Sequence, residues 1–139
     1  MSELAVPSTH TYLLDAPVAT LATVGADGRP QLSALWFLHE DGALRMSLHA
    51  ARQKTKNMRA NPAATLFILD TANPGRYVEV RGDVTIEEDP EYAFADKIGA
   101  KYGGLDLRLF DGDDRRRVVV TLNPVKVNAV DMTAGHPDE

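Results

Sequence analysis

The chain has no cysteine. That absence removes disulfides, thiolate metal sites and a cysteine nucleophile from consideration, and it suits a reducing, cytoplasmic setting. Long apolar runs are missing too: nothing approaches the roughly 20 residues that a membrane helix needs. The first eleven residues include Glu3, Pro7 and His10 and lack the continuous apolar core of a signal peptide. Positive charge is scarce, with 15 Lys and Arg against 20 Asp and Glu. A net charge of −5 argues against general nucleic-acid binding, which needs a basic surface to neutralise phosphates. Neither G-x-G-x-x-G nor G-x-x-x-x-G-K-[ST] occurs, and strands and helices do not alternate as in a Rossmann fold. There is no G-x-S-x-G elbow, and no Ser/His/Asp triad can be argued. His10, His39, His49 and His136 show no metal-ligand spacing, so no metal site is expected.

What remains is a chain of 139 residues, enough for one domain that folds without staples. That domain is expected over 1–139, with an ordered core about 9–132 and loose ends at 1–8 and 134–139. The dominant signal has period two. Residues 18–24 form a β-rich run that ends in the turn Gly25-Ala26-Asp27-Gly28. Residues 31–38 return, and Asp41-Gly42 turns again. Residues 43–49 then place Leu44, Met46 and Leu48 on one face. Further strands are predicted over 63–69, 76–87 and 117–130. Gly82 in the fifth and Pro124 in the sixth suggest a bulge or an edge. Short helices are predicted over 9–15 and 52–60. A third starts at Asp89-Pro90, with Asp89 as N-cap, an apolar stripe of Phe94, Ile98 and Tyr102, and a stop at Gly103-Gly104. Six mostly antiparallel strands that hide both edges close into a barrel.

The segment that carries chemistry is Arg52-Gln53-Lys54-Thr55-Lys56-Asn57-Met58-Arg59. It holds four positive charges and no negative one, in a chain that is otherwise acidic. Cations at the start of a helix, where free backbone N–H groups and the helix dipole also point, make an anion site. Arg52 can grip a phosphate with two parallel bonds, and Lys54 adds a point charge. Thr55 and Asn57 offer neutral hydrogen bonds. A basic run of this kind also suits a plain solvated helix face.

The stretch A-T-L-A-T-V-G-A-D-G-R-P-Q-L-S-A-L-W-F over 19–37, followed by R-Q-K-T-K-N-M-R-A-N-P over 52–62, resembles the pyridoxamine-5′-phosphate-oxidase-like split-barrel superfamily. More narrowly it resembles the flavin/deazaflavin oxidoreductases that use coenzyme F420. R-Y-V-E-V-R-G-D-V over 76–84 is similar to the same group. The resemblance covers about residues 10–130. It implies a mainly β, six-stranded antiparallel split β-barrel of the FMN-binding kind. It further implies a homodimer with two cofactor sites at the subunit interface. The cofactor implied is F420, with FMN as the alternative, and the reaction is hydride transfer to a small unsaturated or conjugated substrate. A non-catalytic cofactor binder would share the same features. On the matching positions Arg52 and Lys54 would hold the cofactor phosphate, with Thr55 and Asn57 beside them. Gln31, Ser33 and Ser47 would lie along the ring or its ribityl tail, and the partner's loop near 74–81 would close the site. The oxidase branch's R-x-V-L-L-K motif is absent; the matching strand reads Q-L-S-A-L-W, which weakens FMN relative to the deazaflavin.

Other residues receive plainer assignments. Trp36 is placed in the core or at an interface, together with Tyr77. Met58 is placed in the core, and His49 at a strand end, near enough to the basic segment to donate to a ligand. Glu79 and Arg81 are positioned to pair with each other across one residue or to contact the other subunit. Residues 113–117, Asp-Asp-Arg-Arg-Arg, read as a solvated charge run. No catalytic acid is named, because a hydride-transfer cofactor carries the electrons itself.

Overall fold

A computed structural model describes residues 4–134; the expectations for 1–3 and 135–139, including His136, lie outside the described residues. The chain forms one antiparallel sheet with three short helices and a 3₁₀ turn at each end. The strands are β1 (Ala19–Val24), β2 (Pro30–Leu35), β3 (Leu38–Glu40), β4 (Ala43–His49), β5 (Ala63–Leu69), β6 (Arg76–Glu88) and β7 (Arg117–Asp131). The helices are α1 (Gln53–Ala60), α2 (Ala93–Lys101) and α3 (Arg108–Asp111). No helix among the described residues is long and apolar enough to cross a membrane.

The sheet has seven strands rather than six, in the order β2-β1-β5-β6-β7-β4-β3. The difference lies at Trp36-Phe37, where the run expected over 31–38 breaks. β2 pairs with β1, while β3 pairs with β4 at the far end of the order. Leu35 and Leu38 are three Cα steps apart, so at most about 11 Å separates the last residue of one edge strand from the first of the other. The sheet therefore curls enough to bring the end of β2 and the start of β3 close together.

The break has a physical cause. The Phe37 N–H donates to the Tyr102 hydroxyl at 3.1 Å, and that hydroxyl donates back to the Phe37 carbonyl at 3.2 Å. The Lys101 ammonium donates to the same carbonyl at 2.8 Å and to the Ala16 carbonyl at 2.9 Å. Side chains from the end of α2 thus take the backbone groups that a neighbouring strand would otherwise satisfy. The Phe37 ring is fully buried, with the Lys101 ammonium 4.1 Å from its centroid.

Alternation fills the inside of the curl. Leu21, Met46, Leu66, Ile68, Val80 and Val120 are fully buried, and Met58 of α1 joins them. A second, smaller cluster lies under α2: Tyr92, Phe94, Ala95, Ile98 and Leu107, with Trp36 and Tyr102 packed against it. Trp36 stacks on Tyr102, centroids 4.3 Å apart. The apolar stripe Phe94, Ile98, Tyr102 is therefore present, but α2 begins at Ala93 rather than at Pro90. Tyr92 adopts φ 59 just before it, and Asp89, three residues further back, accepts the Phe94 and Ala95 N–H groups at 3.3 and 2.9 Å. The first helical segment, expected over 9–15, is a 3₁₀ turn at Thr11–Asp15. The stretch 4–8 is less loose than expected: Leu4 and Val6 pack against the core.

Gly82 does mark a bulge. The β6–β7 register slips between Arg81 and Gly82, so that Arg81 faces Lys126 while Gly82 faces Pro124, and Val125 is left over and exposed. Pro124 has no N–H to give the ladder, and the bulge accommodates it. A Cβ on Gly82 would sit 2.1 Å from the Asn123 carbonyl oxygen. Gly82→Ala should therefore destabilise the fold by about 1–3 kcal/mol, the usual cost of overpacking, seen as a lower urea midpoint. An unchanged midpoint would mean that the two backbones do not approach this closely.

Candidate functional site

The site is built where β4 hands over to α1. The Thr55 hydroxyl, fully buried, donates to the His49 carbonyl at 2.9 Å, and the Arg52 N–H donates to the same oxygen at 3.1 Å. His49 itself is used at both ring nitrogens. Its Nδ1 accepts the Ala51 N–H at 3.0 Å, so Nε2 carries the proton and donates to the Asp114 carbonyl at 2.9 Å. His49 thus fastens the β4 end to the loop before β7.

Helix α1 presents two kinds of side chain. Thr55, Asn57 and Met58 face inward, while Arg52, Gln53, Lys56 and Arg59 are exposed, and Lys54 is half-buried between them. No side chain caps its N-terminus and its first turn holds no acid. The N–H groups of that turn have no helical acceptor.

Four of the seven predicted residues meet between α1 and β2, in two hydrogen-bonded groups. The Lys54 ammonium donates to the Ser33 hydroxyl at 3.0 Å. The Asn57 amide donates to Gln31 Oε1 at 2.8 Å and to the buried Thr23 hydroxyl at 3.1 Å, and Gln53 donates to Asn57 Oδ1 at 2.9 Å. Asn57 therefore faces β1 and β2 and orients Gln31. Burial, and secondarily the neighbouring Arg52 charge, pushes the Lys54 ammonium below its usual pKa. A negative group placed at this helix end would offset both effects.

The remaining three residues are distributed differently. Thr55 spends its hydroxyl on fixing α1. Arg52 points to solvent at the helix start, with no side-chain hydrogen bond or ion pair among the described residues. Ser47 lies on β4, where its carbonyl and hydroxyl oxygens accept from Arg117 at 3.2 and 3.4 Å.

Arg117 was missed by sequence reasoning, as were Asp111 and Phe110. Arg117, Asp111 and Phe110 line the same cleft, of about 440 Å³, as Arg52, Lys54 and His49. Arg117 forks onto Asp111, Nε to Oδ2 at 2.8 Å and Nη2 to Oδ1 at 3.0 Å. The two side chains are only 10% and 3% exposed. Burial alone would raise the Asp111 carboxyl, but the Arg117 and Tyr92 hydrogen bonds outweigh it and hold the carboxyl below its usual range. The charge run at 113–117 is solvated at Arg115 and Arg116, as expected, and departs from that reading at Arg117. In the structure Arg117 opens β7 directly opposite His49. Glu79 and Arg81 do pair, at 3.0 Å, on the outer face of β6.

The family model for pyridoxamine 5′-phosphate oxidase matches residues 7–131. Among solved structures the chain is similar to an F420 reductase, at 38% identity over 88% of this chain and 98% of that one, with a TM-score of 0.80. It is also similar to a conserved hypothetical protein of Mycobacterium tuberculosis, at 25% identity over 100% of this chain and 94% of that one, with a TM-score of 0.76. A heme-binding protein of Mycobacterium smegmatis shares the fold, with a TM-score of 0.67 at 21% identity over 91% of this chain and 55% of that one.

The Arg117–Asp111 pair gives a stability prediction. Asp111→Ala should cost about 3 kcal/mol, because it leaves a desolvated guanidinium unpaired. The pH dependence follows from the lowered carboxyl: its contribution is complete above the unfolded aspartate value of about 3.9 and is lost as pH falls through the lower folded value. Urea midpoints should therefore drop below about pH 4, and less steeply in Asp111→Asn. Equal acid slopes in the two proteins would show that the pair adds nothing.

Proposed function

The chain belongs to the pyridoxamine 5′-phosphate oxidase family, and on that premise we propose that it is a cytoplasmic, homodimeric oxidoreductase that uses coenzyme F420 to deliver a hydride to a small unsaturated or conjugated organic substrate. One observation carries the reading: the half-buried Lys54 ammonium rests on Ser33 beside Arg52, at an uncapped helix start that has no acid in its first turn. Two cations and a turn of free N–H groups form a donor set that fits a phosphate. The likeness to an F420 reductase across most of both chains supports the deazaflavin over FMN.

The residues present divide the work. Lys54 and Arg52 would hold the phosphate. Gln31, oriented by Asn57, and Ser33 would offer hydrogen bonds along β2, and Thr55 keeps α1 at the angle that brings Lys54 to Ser33. Ser47 keeps its own hydroxyl proton free to donate, since its oxygen accepts from Arg117. The cofactor, when bound, supplies the hydride chemistry. The chain's part is to bind it, orient it and keep water from its reactive face.

Lack of room inside the curl supports the homodimer. The inside of the curl is filled by Leu21, Met46, Leu66, Val80 and Val120, each fully buried, so a tricyclic ring cannot enter it. The ring must lie outside, where a second subunit would cover it. Sedimentation at micromolar protein should give a species of twice the 15.2 kDa chain mass; a single monomer peak would remove this part of the proposal.

Titration of variants tests the site itself. Lys54→Ala should weaken F420 binding by about ten- to hundredfold, the equivalent of a charge-assisted hydrogen bond of about 1.5–3 kcal/mol. Lys56→Ala, which removes an exposed lysine on the same helix, should cost under about 1 kcal/mol. Equal, small losses in both would reduce the basic helix to a solvated face. Tighter binding of FMN than of F420 by the unaltered protein would move the assignment to the flavin.

A further inference from the structure

Strand β1 turns Ala19, Leu21 and Thr23 inward, and all three are buried. The first two are apolar. Thr23 is not, although it is only 1% exposed and a valine has the same shape. A hydroxyl buried to that depth costs stability unless it is bonded. Its side-chain partner among the described residues is the Asn57 amide of α1, which donates to it at 3.1 Å. The same amide nitrogen donates to Gln31 Oε1 at 2.8 Å, and Asn57 Oδ1 accepts from Gln53 at 2.9 Å. The buried Asn57 side chain thus has a partner for its oxygen and two for its nitrogen.

Gln31 is the end of this chain of bonds that meets water. It is the second residue of β2, which lies at one end of the strand order, and it is exposed. In the β1–β2 register it stands directly opposite Thr23, on the same face. A glutamine left alone there would sample many rotamers, and a ligand bonding to it would lose affinity to the ordering of that side chain. Ser33, two places along the same face, is held by Lys54. Lys54 is half-buried, and the cofactor reading gives its ammonium a second task at the phosphate. Asn57 is held instead by a hydroxyl inside the core. Thr23 itself is too deeply buried to touch a ligand that lies outside the filled interior.

We propose that Thr23 is a positioning residue of the cofactor site: its hydroxyl, acting through Asn57, holds the Gln31 side chain in place before the ring arrives. This rests on the reading of β2 as the strand that lies along the F420 ring. A hydroxyl that served only to dock α1 would act on Lys54 and Gln31 alike. One that serves Gln31 leaves the phosphate end untouched, so the two roles separate by ligand.

The test compares Thr23→Val, Thr23→Ser and Gln31→Ala in calorimetric titrations with F420 and in NMR shift titrations with inorganic phosphate, which probes the Lys54 end alone. Thr23→Val removes only the hydroxyl and should lose about three- to tenfold in F420 affinity, as expected for one neutral hydrogen bond. Thr23→Ser keeps the hydroxyl and should stay within about twofold of the unaltered protein. Phosphate affinity should stay within about twofold in every variant. Adding Thr23→Val to Gln31→Ala should cost less than about twofold more, because the residue it acts on is gone. Unchanged F420 affinity in Thr23→Val, a parallel loss for phosphate, or an additive loss on Gln31→Ala would overturn the proposal. The unloaded, unaltered protein supplies an arm that needs neither the cofactor nor a folded variant. Nuclear Overhauser contacts between the Asn57 and Gln31 side-chain amides should hold Gln31 in one conformation, and averaging of Gln31 there would overturn the proposal. If the unaltered protein does not bind F420, the cofactor reading fails and those contacts still decide. Their loss in Thr23→Val with retention in Thr23→Ser supports the positioning role; retention in Thr23→Val overturns it.

Discussion

The structure depends on the clamp at Phe37. One backbone residue gives its N–H to the Tyr102 hydroxyl and shares its carbonyl between that hydroxyl and the Lys101 ammonium. At that point a single extended run stops being one edge of the sheet and becomes the other. β2 and β3 thus lie at opposite ends of the strand order while the chain passes directly from one to the other. The clamp also ties the second apolar cluster to the first, since Tyr102 stacks on Trp36 while Lys101 lies over the Phe37 ring.

Closure of the curl is what gives α1 a fixed surface to dock on. Its inner residues do not simply fill space. Thr55 bonds the end of β4, and Asn57 reaches β1 and β2 through Thr23 and Gln31. Three strands thereby set the rotation of one eight-residue helix. That rotation decides which cation is drawn in against Ser33 and which are left in water. Lys54 and Lys56 differ by two positions, about 200° around the helix, and their environments differ accordingly. The same handover from β4 places Arg117 opposite His49, so that the paired Arg117 and Asp111 complete the cleft from the β7 side.

Much of this was legible in the sequence. Alternation located most of the strands, the Asp-Gly turns located the hairpins, and Gly82 with Pro124 located the bulge. The gathering of Gln31, Ser33, Lys54 and Asn57 came from the resemblance rather than from any spacing, because strand β2 and helix α1 are brought together by the fold and not by the chain. The break at Trp36-Phe37 was hidden: the residues responsible, Lys101 and Tyr102, lie some 65 positions away. Asp111 and Arg117 were hidden for a related reason. A run of Asp and Arg reads as solvent-facing, and nothing local reveals that one arginine of three is turned inward by a carboxylate on a four-residue helix. The start of α2 was misplaced because Asp89 caps from a distance, through Tyr92 in a left-handed conformation.

The central claim is that the helix end carrying Lys54 and Arg52 is a phosphate site for F420. A crystal structure of the protein soaked with F420 tests it most directly. The account predicts the cofactor phosphate within hydrogen-bond reach of the Lys54 ammonium, with the ring along Gln31 and Ser33 and outside the filled interior of the curl. Density for the phosphate elsewhere, with Lys54 still bonded to Ser33 and no ligand beside it, would contradict the account.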